Sequence, residues 1–322
     1  MASTEMIVVS NANAGLNTRR AKVRQLARQV LNARQRVYET KSLEHLRVVA
    51  RQIHGLRPDT VTIEGGDGTI HQTVSAILQR YETTPGAALP KFVIAPLGTM
   101  NNIATSLGLH RRDVVEMEEI ILAKCKAGAP FDEVHGHCLK VNGEYGFIYG
   151  AGLPVNFLER YYAQRPNLGP TAALRVIRDA ILNEAWSMAR LRKSSELLTK
   201  PVHGRIRLPD GHDPIVGPYM SHTAIMAATV DQVGLGCRAL PGAMTVPGCF
   251  MLRSSRLNFW GYVAGLLNLW LGLSFPLIFD AIVPRVEIDF EEPTVRQLDG
   301  DLLSPAERDV IEIGPRLTFI AG

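Results

Sequence analysis

Thr60-Val61-Thr62-Ile63-Glu64-Gly65-Gly66-Asp67-Gly68-Thr69-Ile70 is the stretch on which the reading of this chain turns. It opens as a buried strand, Thr60–Glu64, and passes through three glycines in four residues. It leaves as a helix, Ile70–Tyr81, with Ile70, Val74, Ile77, Leu78 and Tyr81 on one face. Thr69, with Gln72 three residues later, has the form of a capping box for that helix. A strand, a glycine turn and a helix start together favour an anion. Glycine lets the backbone approach without an intervening Cβ, and the helix N-terminus offers free N–H groups and positive dipole. Neither G-x-x-x-x-G-K-[ST] nor G-x-G-x-x-G is present. Asp67 is the anomaly, because a carboxylate inside a phosphate cradle repels its ligand. It is tolerable if it binds Mg²⁺ or takes a proton from an attacking hydroxyl, and both roles point to phosphoryl transfer. The plainer alternative is a glycine turn in which Asp67 only caps a helix.

Strands and helices alternate on both sides of this turn. Met6–Ser10, Arg36–Thr40 and Lys91–Ala95 read as strands, and Thr18–Ala33 and Ser42–His54 as amphipathic helices. This alternation predicts a parallel sheet covered on both faces. Pro96-Leu97-Gly98-Thr99-Met100-Asn101-Asn102 follows the fourth strand as the glycine turn follows the third. Thr99 is placed to cap a short helix there, and Asn101 to reach a nucleotide. The turn Ser10–Gly15 follows the first strand and Thr40 ends the second. Ligands bind outside the carboxyl ends of such strands, so these four ends are expected to line one crevice.

The pattern changes near Phe131. Asn142-Gly143 is a hairpin signal, a helical region covers about Asn156–Leu198, and Arg205–Leu208, Thr223–Val230, Cys249–Leu252, Val286–Phe290 and Val310–Ile313 read as strands. The expected organisation is a nucleotide-binding α/β domain over residues 1–130, with the tail 305–322 as its candidate completion, and a β-rich domain over 131–304. Leu298-Asp299-Gly300-Asp301 lies in an acidic segment: residues 285–312 hold nine acids against three arginines. By itself it reads as an Asp-Gly turn between strands.

With 322 residues, 46% hydrophobic and 20% charged, the chain is long enough for about two globular domains, and large-scale disorder is excluded. Cys125, Cys138, Cys237 and Cys249 show no C-x-x-C spacing, which argues against zinc and disulfide frameworks and for a reducing, cytoplasmic setting. No signal peptide is recognisable at the N-terminus. His135 and His137 share a strand face without a third ligand and read as structural. The three tryptophans and scattered aromatics form no nucleic-acid-binding pattern. Residues 1–57 carry eleven Lys/Arg against three acids, a bias that suits either phosphates, an anionic membrane surface or a solvated helix face. Leu257–Phe279 has 23 residues without an ionised group, which leaves open a membrane span, a core helix or shallow docking through Trp260 and Trp270.

The order Asn11…Gly15, then Gly65-Gly66-Asp67-Gly68-Thr69, then Pro96-Leu97-Gly98-Thr99-x-Asn101 resembles the diacylglycerol kinase catalytic-domain family, which includes bacterial lipid kinases and the related sphingosine and ceramide kinases. The resemblance covers nearly the whole chain. The glycine motif alone is shared with NAD kinases, and the second motif selects the lipid-kinase branch. The resemblance implies an NAD-kinase/lipid-kinase-like α/β domain and a mostly β C-terminal sandwich. It implies an ATP site at Asn11, Thr40, Gly65, Gly66, Asp67, Gly68, Thr69, Ile70, His71, Thr99 and Asn101, with Mg²⁺ accompanying the nucleotide. Asp301 is then the base for the acceptor hydroxyl, with Asp299 beside it and Asp67 as the competing candidate. The implied acceptor is a membrane lipid such as diacylglycerol or ceramide, handled by a peripheral protein at the inner face of the membrane, with a homodimer as the candidate assembly and no nucleic-acid partner. The apolar run 257–283 and the Arg-bearing helix 175–193 are the expected places of membrane contact. Two departures stand out. Asn102 replaces an expected Asp, and Pro247, within Met244–Cys249, stands where relatives carry an Asp for a structural metal, so that metal site is expected to be absent. The alternatives are an NAD-kinase-like enzyme acting on a soluble substrate and a non-catalytic nucleotide- or lipid-binding homologue.

Overall fold

The computed structural model describes residues 6–11, 35–96, 101–109, 123–124, 129–165, 168–190, 197–209, 220–234, 236–273 and 276–321. The expected helix Thr18–Ala33, turn residues 12–15, Cys125 and residues 97–100, Thr99 among them, lie outside this set. The chain divides into two units. One comprises Met1–Cys138, Gly143–Gly146 and Gly314–Gly322, and the other comprises Leu139–Asn142 and Phe147–Ile313.

In the first unit β1 (Met6–Asn11), β2 (Gln35–Thr40), β3 (Thr60–Gly65) and β4 (Lys91–Pro96) form a parallel sheet in the order β2-β1-β3-β4. The end of the last strand joins beside β4, with Phe319 opposite Phe92. Continuous apolar runs make these strands suited to burial on both faces: Ile7, Val9, Val61, Ile63 and Phe92 are fully buried. Helix α1 (Leu43–Leu56) starts at Ser42, whose hydroxyl accepts from the His45 N–H at 3.2 Å, and ends at Arg57 in the left-handed region. It buries Leu46, Val49, Ala50 and Ile53, whereas Leu43 at its start is 55% exposed. Helix α2 (Asp67–Tyr81) buries Ile70, Val74, Ile77, Leu78 and Tyr81, the face expected from the sequence. Each such aliphatic side chain contributes about 1.5–3 kcal/mol on burial.

Helix α2 begins at Asp67, three residues before the expected Ile70. Gly66 is its N-cap, and the N–H groups of Thr69 and Ile70 both donate to the Gly66 carbonyl, at 2.9 and 3.0 Å. Thr69 therefore sits inside the first turn rather than ahead of it, and the expected capping box with Gln72 does not form.

Asn142-Gly143 turns with φ of 49° and 91° between β5 (Asp132–Val141) and β6 (Glu144–Gly146), the pairing of a type I′ hairpin. In the second unit β7 (Ile148–Gly152), β8 (Val202–Arg207), β9 (Met220–His222), β10 (Ala224–Ala228), β11 (Phe250–Ser255), β12 (Ile278–Val283), β13 (Arg285–Leu298) and the part of β14 (Asp301–Ala321) up to Ile313 pair antiparallel. The first half of β13 pairs with β8 and its second half with β7, with register shifts after Asp289 and Thr294. Bulges of this kind let one strand serve two groups of neighbours. Their apolar faces meet in one core that includes Tyr149, Ile206, Phe250, Ile288 and Ile311.

The expected helical region is two helices, α4 (Leu153–Tyr162) and α5 (Pro170–Ala189). Gly169, at φ 139°, and Pro170, in the first turn, make the break. The apolar run is also divided. Helix α6 (Phe259–Leu271) has 13 residues, about 20 Å at ~1.5 Å per residue. The Asn258 side chain accepts from the Gly261 N–H at 2.8 Å and caps its start, and Gly272, at φ 74°, ends it before β12. No helix among the described residues is long and apolar enough to cross a membrane.

A buried ion pair ties β7, β13 and β14. The Arg296 Nε and Nη2 donate to the two Asp309 oxygens at 2.7 and 2.9 Å, and the Tyr149 hydroxyl donates to Asp309 at 2.6 Å. Asp309 is fully buried, and Asn142 Nδ2 adds a fourth donor at 2.7 Å. Burial and the Asp309 charge push the Tyr149 hydroxyl well above its ordinary pKa, so it stays a donor. Asp309→Ala should leave the Arg296 charge buried without its partner. Urea denaturation is expected to show a loss of about 3–5 kcal/mol, and a change within experimental error would refute this role.

Candidate functional site

The carboxyl ends of the four parallel strands are level. Asn11 lies opposite Thr40, Ser10 opposite Glu64, and Gly65 opposite Pro96. The Thr40 hydroxyl donates to the Ser10 carbonyl at 3.2 Å, joining the ends of β2 and β1. Asn11 Nδ2 donates to the Thr69 hydroxyl at 3.0 Å, joining the end of β1 to the first turn of α2. Two glycines of the turn serve different ends. A Cβ on Gly65 would fall 2.4 Å from the Thr69 side chain, so packing requires glycine there. A Cβ on Gly68 would meet nothing within 4 Å, which leaves open space at the helix N-terminus. No side chain caps α2.

Asp67 connects this turn to the second motif. Its Oδ2 accepts from the Asn102 N–H at 2.9 Å and its Oδ1 from the Ile103 N–H at 3.1 Å. These are the first N–H groups of helix α3 (Asn102–Ser106), whose N-cap, Asn101, is left-handed at φ 50° and gives no side-chain cap. Asp67 thus supplies the cap that Asn101 does not. Two charge-assisted bonds from the positive end of α3 also account for a carboxylate inside an anion cradle. Asn102 contributes through its backbone N–H, so the departure from the expected Asp leaves this link intact.

In the second unit Asp299 and Gly300, at φ 50° and 93°, form the two-residue turn between β13 and β14, with Leu298 opposite Asp301. Asp299 repeats the device of Asp67. Its oxygens accept from the Phe147 and Ile148 N–H groups at 2.8 and 2.7 Å. Gln297 Oε1 accepts from the Gly300 N–H at 2.8 Å, and the Tyr162 hydroxyl donates to the Gly300 carbonyl at 2.7 Å. Burial and the Asp301 carboxylate raise the Tyr162 pKa, keeping it protonated, while the Arg165 guanidinium lies 4.8 Å from its ring centroid. Asp301 is exposed. His71 is buried within α2. His135 and His137 bond the last strand, through the Thr318 hydroxyl at 3.2 Å and the Gly314 carbonyl at 3.0 Å.

Sequence reasoning missed Tyr162, Gln297 and the four backbone N–H groups that hold Asp67 and Asp299. A backbone donor has no residue signature, and Tyr162 comes from a helix 138 positions away from its acceptor.

These features define a glycine-turn α/β unit with a helix start that no side chain caps, accompanied by a β-rich unit. Residues 5–129 match the family model of the diacylglycerol kinase catalytic domain. A Pectobacterium atrosepticum protein named probable lipid kinase YegS-like is 26% identical over 264 residues, covering 81% of this chain and 77% of that protein. The solved structure of a diacylglycerol kinase from Bacillus anthracis str. Sterne matches with a TM-score of 0.66 at 14% identity, covering 100% of this chain and 98% of the other. A second structure from that organism gives 0.71 at 17% over the same shares. The structural matches establish the shared fold.

The cradle's residues fit a nucleotide phosphate: an uncapped helix start, open space at Gly68 and hydroxyl or amide groups from Asn11 and Thr69. Among the described residues there is no group of three or more His, Cys, Asp or Glu able to hold a metal by itself. A cation here would therefore come with the phosphates, which commonly supply Mg²⁺ ligands.

The two kinds of carboxylate predict responses of different size to the same substitution. Asp67→Asn and Asp299→Asn each turn an acceptor into an NH₂ group facing an N–H, and are expected to cost about 1–3 kcal/mol in chemical denaturation. Asp301→Asn, at an exposed position, is expected to stay within ~0.5 kcal/mol. Equal losses at all three positions would contradict the assignment.

Proposed function

We propose that this protein transfers the γ-phosphoryl group of ATP to the hydroxyl of a membrane lipid such as diacylglycerol or ceramide, at the cytoplasmic face of a membrane. The observation that carries this reading is the Asp67 carboxylate held by the Asn102 and Ile103 N–H groups, which unites the two motifs of the lipid-kinase family at one sheet edge. The family match over residues 5–129 and the similarity to a protein named as a lipid kinase support it.

In this reading the N-terminus of α2 and the run Gly65–His71 receive the phosphates, while Asn11, Thr40, Thr99 and Asn101 orient the nucleotide. Bound with ATP, Mg²⁺ offsets phosphate charge. Asp67, with both oxygens taken by N–H donors, holds the cradle's shape. Asp301 accepts the acceptor hydroxyl's proton as the new O–P bond forms, and Asp299 fixes the turn that carries it. A base on an exposed, well-anchored turn suits an acceptor delivered from outside the protein.

The test is incubation with γ-labelled ATP, Mg²⁺ and, separately, diacylglycerol, ceramide, sphingosine and NAD. Label is expected in a lipid extract. Asp301→Asn is expected to lower transfer by about 10²-fold or more, with ATP affinity and melting temperature unchanged. Label in NADP, or an Asp301→Asn protein as active as the parent, would overturn the reading.

A further inference from the structure

We infer that helix α6 and the segment after it form a docking element that lies in the interface of an anionic bilayer. This deepens the lipid-kinase reading by naming the surface through which the membrane is met.

The helix exposes a stripe at i, i+4, i+7 and i+11: Trp260, Ala264, Leu267 and Leu271. Leu267 is 68% exposed, and beyond the helix end Leu277 is 67% exposed. Trp270 stands beside the stripe at 40%. A soluble surface rarely leaves so many large apolar side chains together without an interaction to cover them. The inner side is already occupied, with Phe259 packed against Val176 and Ala180 of α5.

Three observations favour a bilayer as the occupant. First, residues 257–279 contain no charged side chain, so nothing on this face has to be matched by a protein partner's charges. Second, an indole near each end of a helix too short to span suits a helix lying at headgroup level. Third, the rim is complementary to anionic headgroups. The carboxylates on the neighbouring elements are neutralised, Asp280 by Arg253 through two bonds of 2.7 Å and Asp231 by Arg238 at 3.0 Å. Arg256 is exposed beside the apolar tip, its backbone N–H donating to the Leu277 carbonyl at 3.1 Å.

The experiment is density-gradient flotation of the full chain with phosphatidylcholine vesicles, with and without phosphatidylglycerol. It compares the parent with the double variant Leu267→Glu/Leu277→Glu. Both positions are exposed, so the variant is expected to keep the parent's melting temperature. Flotation of the parent is expected to rise with phosphatidylglycerol, and that of the variant to fall by about tenfold or more. Brominated lipid should quench the fluorescence of a Trp186→Phe protein, which keeps only Trp260 and Trp270 of the chain's three tryptophans. A parent that does not float, or a variant that floats equally well, overturns the inference. So does a parent dimer that the variant breaks while flotation is unchanged, because the face would then pair two copies. Transfer to a short-chain diacylglycerol dispersed in water separates the two readings. A parent that floats but phosphorylates no lipid removes the kinase reading and leaves the docking surface. A parent that phosphorylates the dispersed lipid but never floats does the reverse.

Discussion

The bond pair from the Asn102 and Ile103 N–H groups to the Asp67 carboxylate is the constraint on which the candidate site rests. A glycine turn at a strand end is common, and so is a short helix at the end of the neighbouring strand. One carboxylate spanning both gives them a fixed spacing. It also settles an electrostatic conflict. A negative side chain beside a phosphate site would weaken it, but here the positive end of a second helix absorbs the charge. Asn101 can remain left-handed because Asp67 performs the capping that its own side chain does not.

The second unit uses the same chemistry. Asp299 spends both oxygens on the Phe147 and Ile148 N–H groups, and Gln297 and Tyr162 fasten the two sides of Gly300. A two-residue turn held at so many points gives the next side chain, Asp301, a defined origin. The two anchored carboxylates thus differ from the exposed one by their partners, a distinction absent from the motif as a string of letters. The Arg296–Asp309–Tyr149 network then ties the strands on either side of that turn.

Much of the fold was legible in the sequence because its signals are local. The alternation of apolar strands and amphipathic helices gave the parallel sheet, and the stripe Ile70–Val74–Ile77–Tyr81 is buried as read. Asn142-Gly143 marked its turn because both positions need positive φ. The errors arose where tertiary structure decided. Thr69 looked like a cap, but Asn11 from another strand claims its hydroxyl, and Gly66 starts the helix. The region about Asn156–Leu198 reads as one helical region although Gly169 and Pro170 break it, and the apolar run 257–279, open to a span, a core helix or shallow docking, is divided at Gly272 into helix and strand. In the site, the residue types were readable and their roles were not. Asp67, Asp299 and Asp301 are equivalent as letters, and only the N–H groups around two of them separate anchors from a candidate base.

The most direct measurement is a crystal structure of the protein with Mg²⁺ and a non-hydrolysable ATP analogue. The account predicts the phosphates against the N–H groups that open α2, at Asp67 and Gly68, with the Asp67 carboxylate still bonded to the Asn102 and Ile103 N–H groups. Phosphates bound elsewhere, or an Asp67 carboxylate that has left those N–H groups to coordinate the metal, would contradict it.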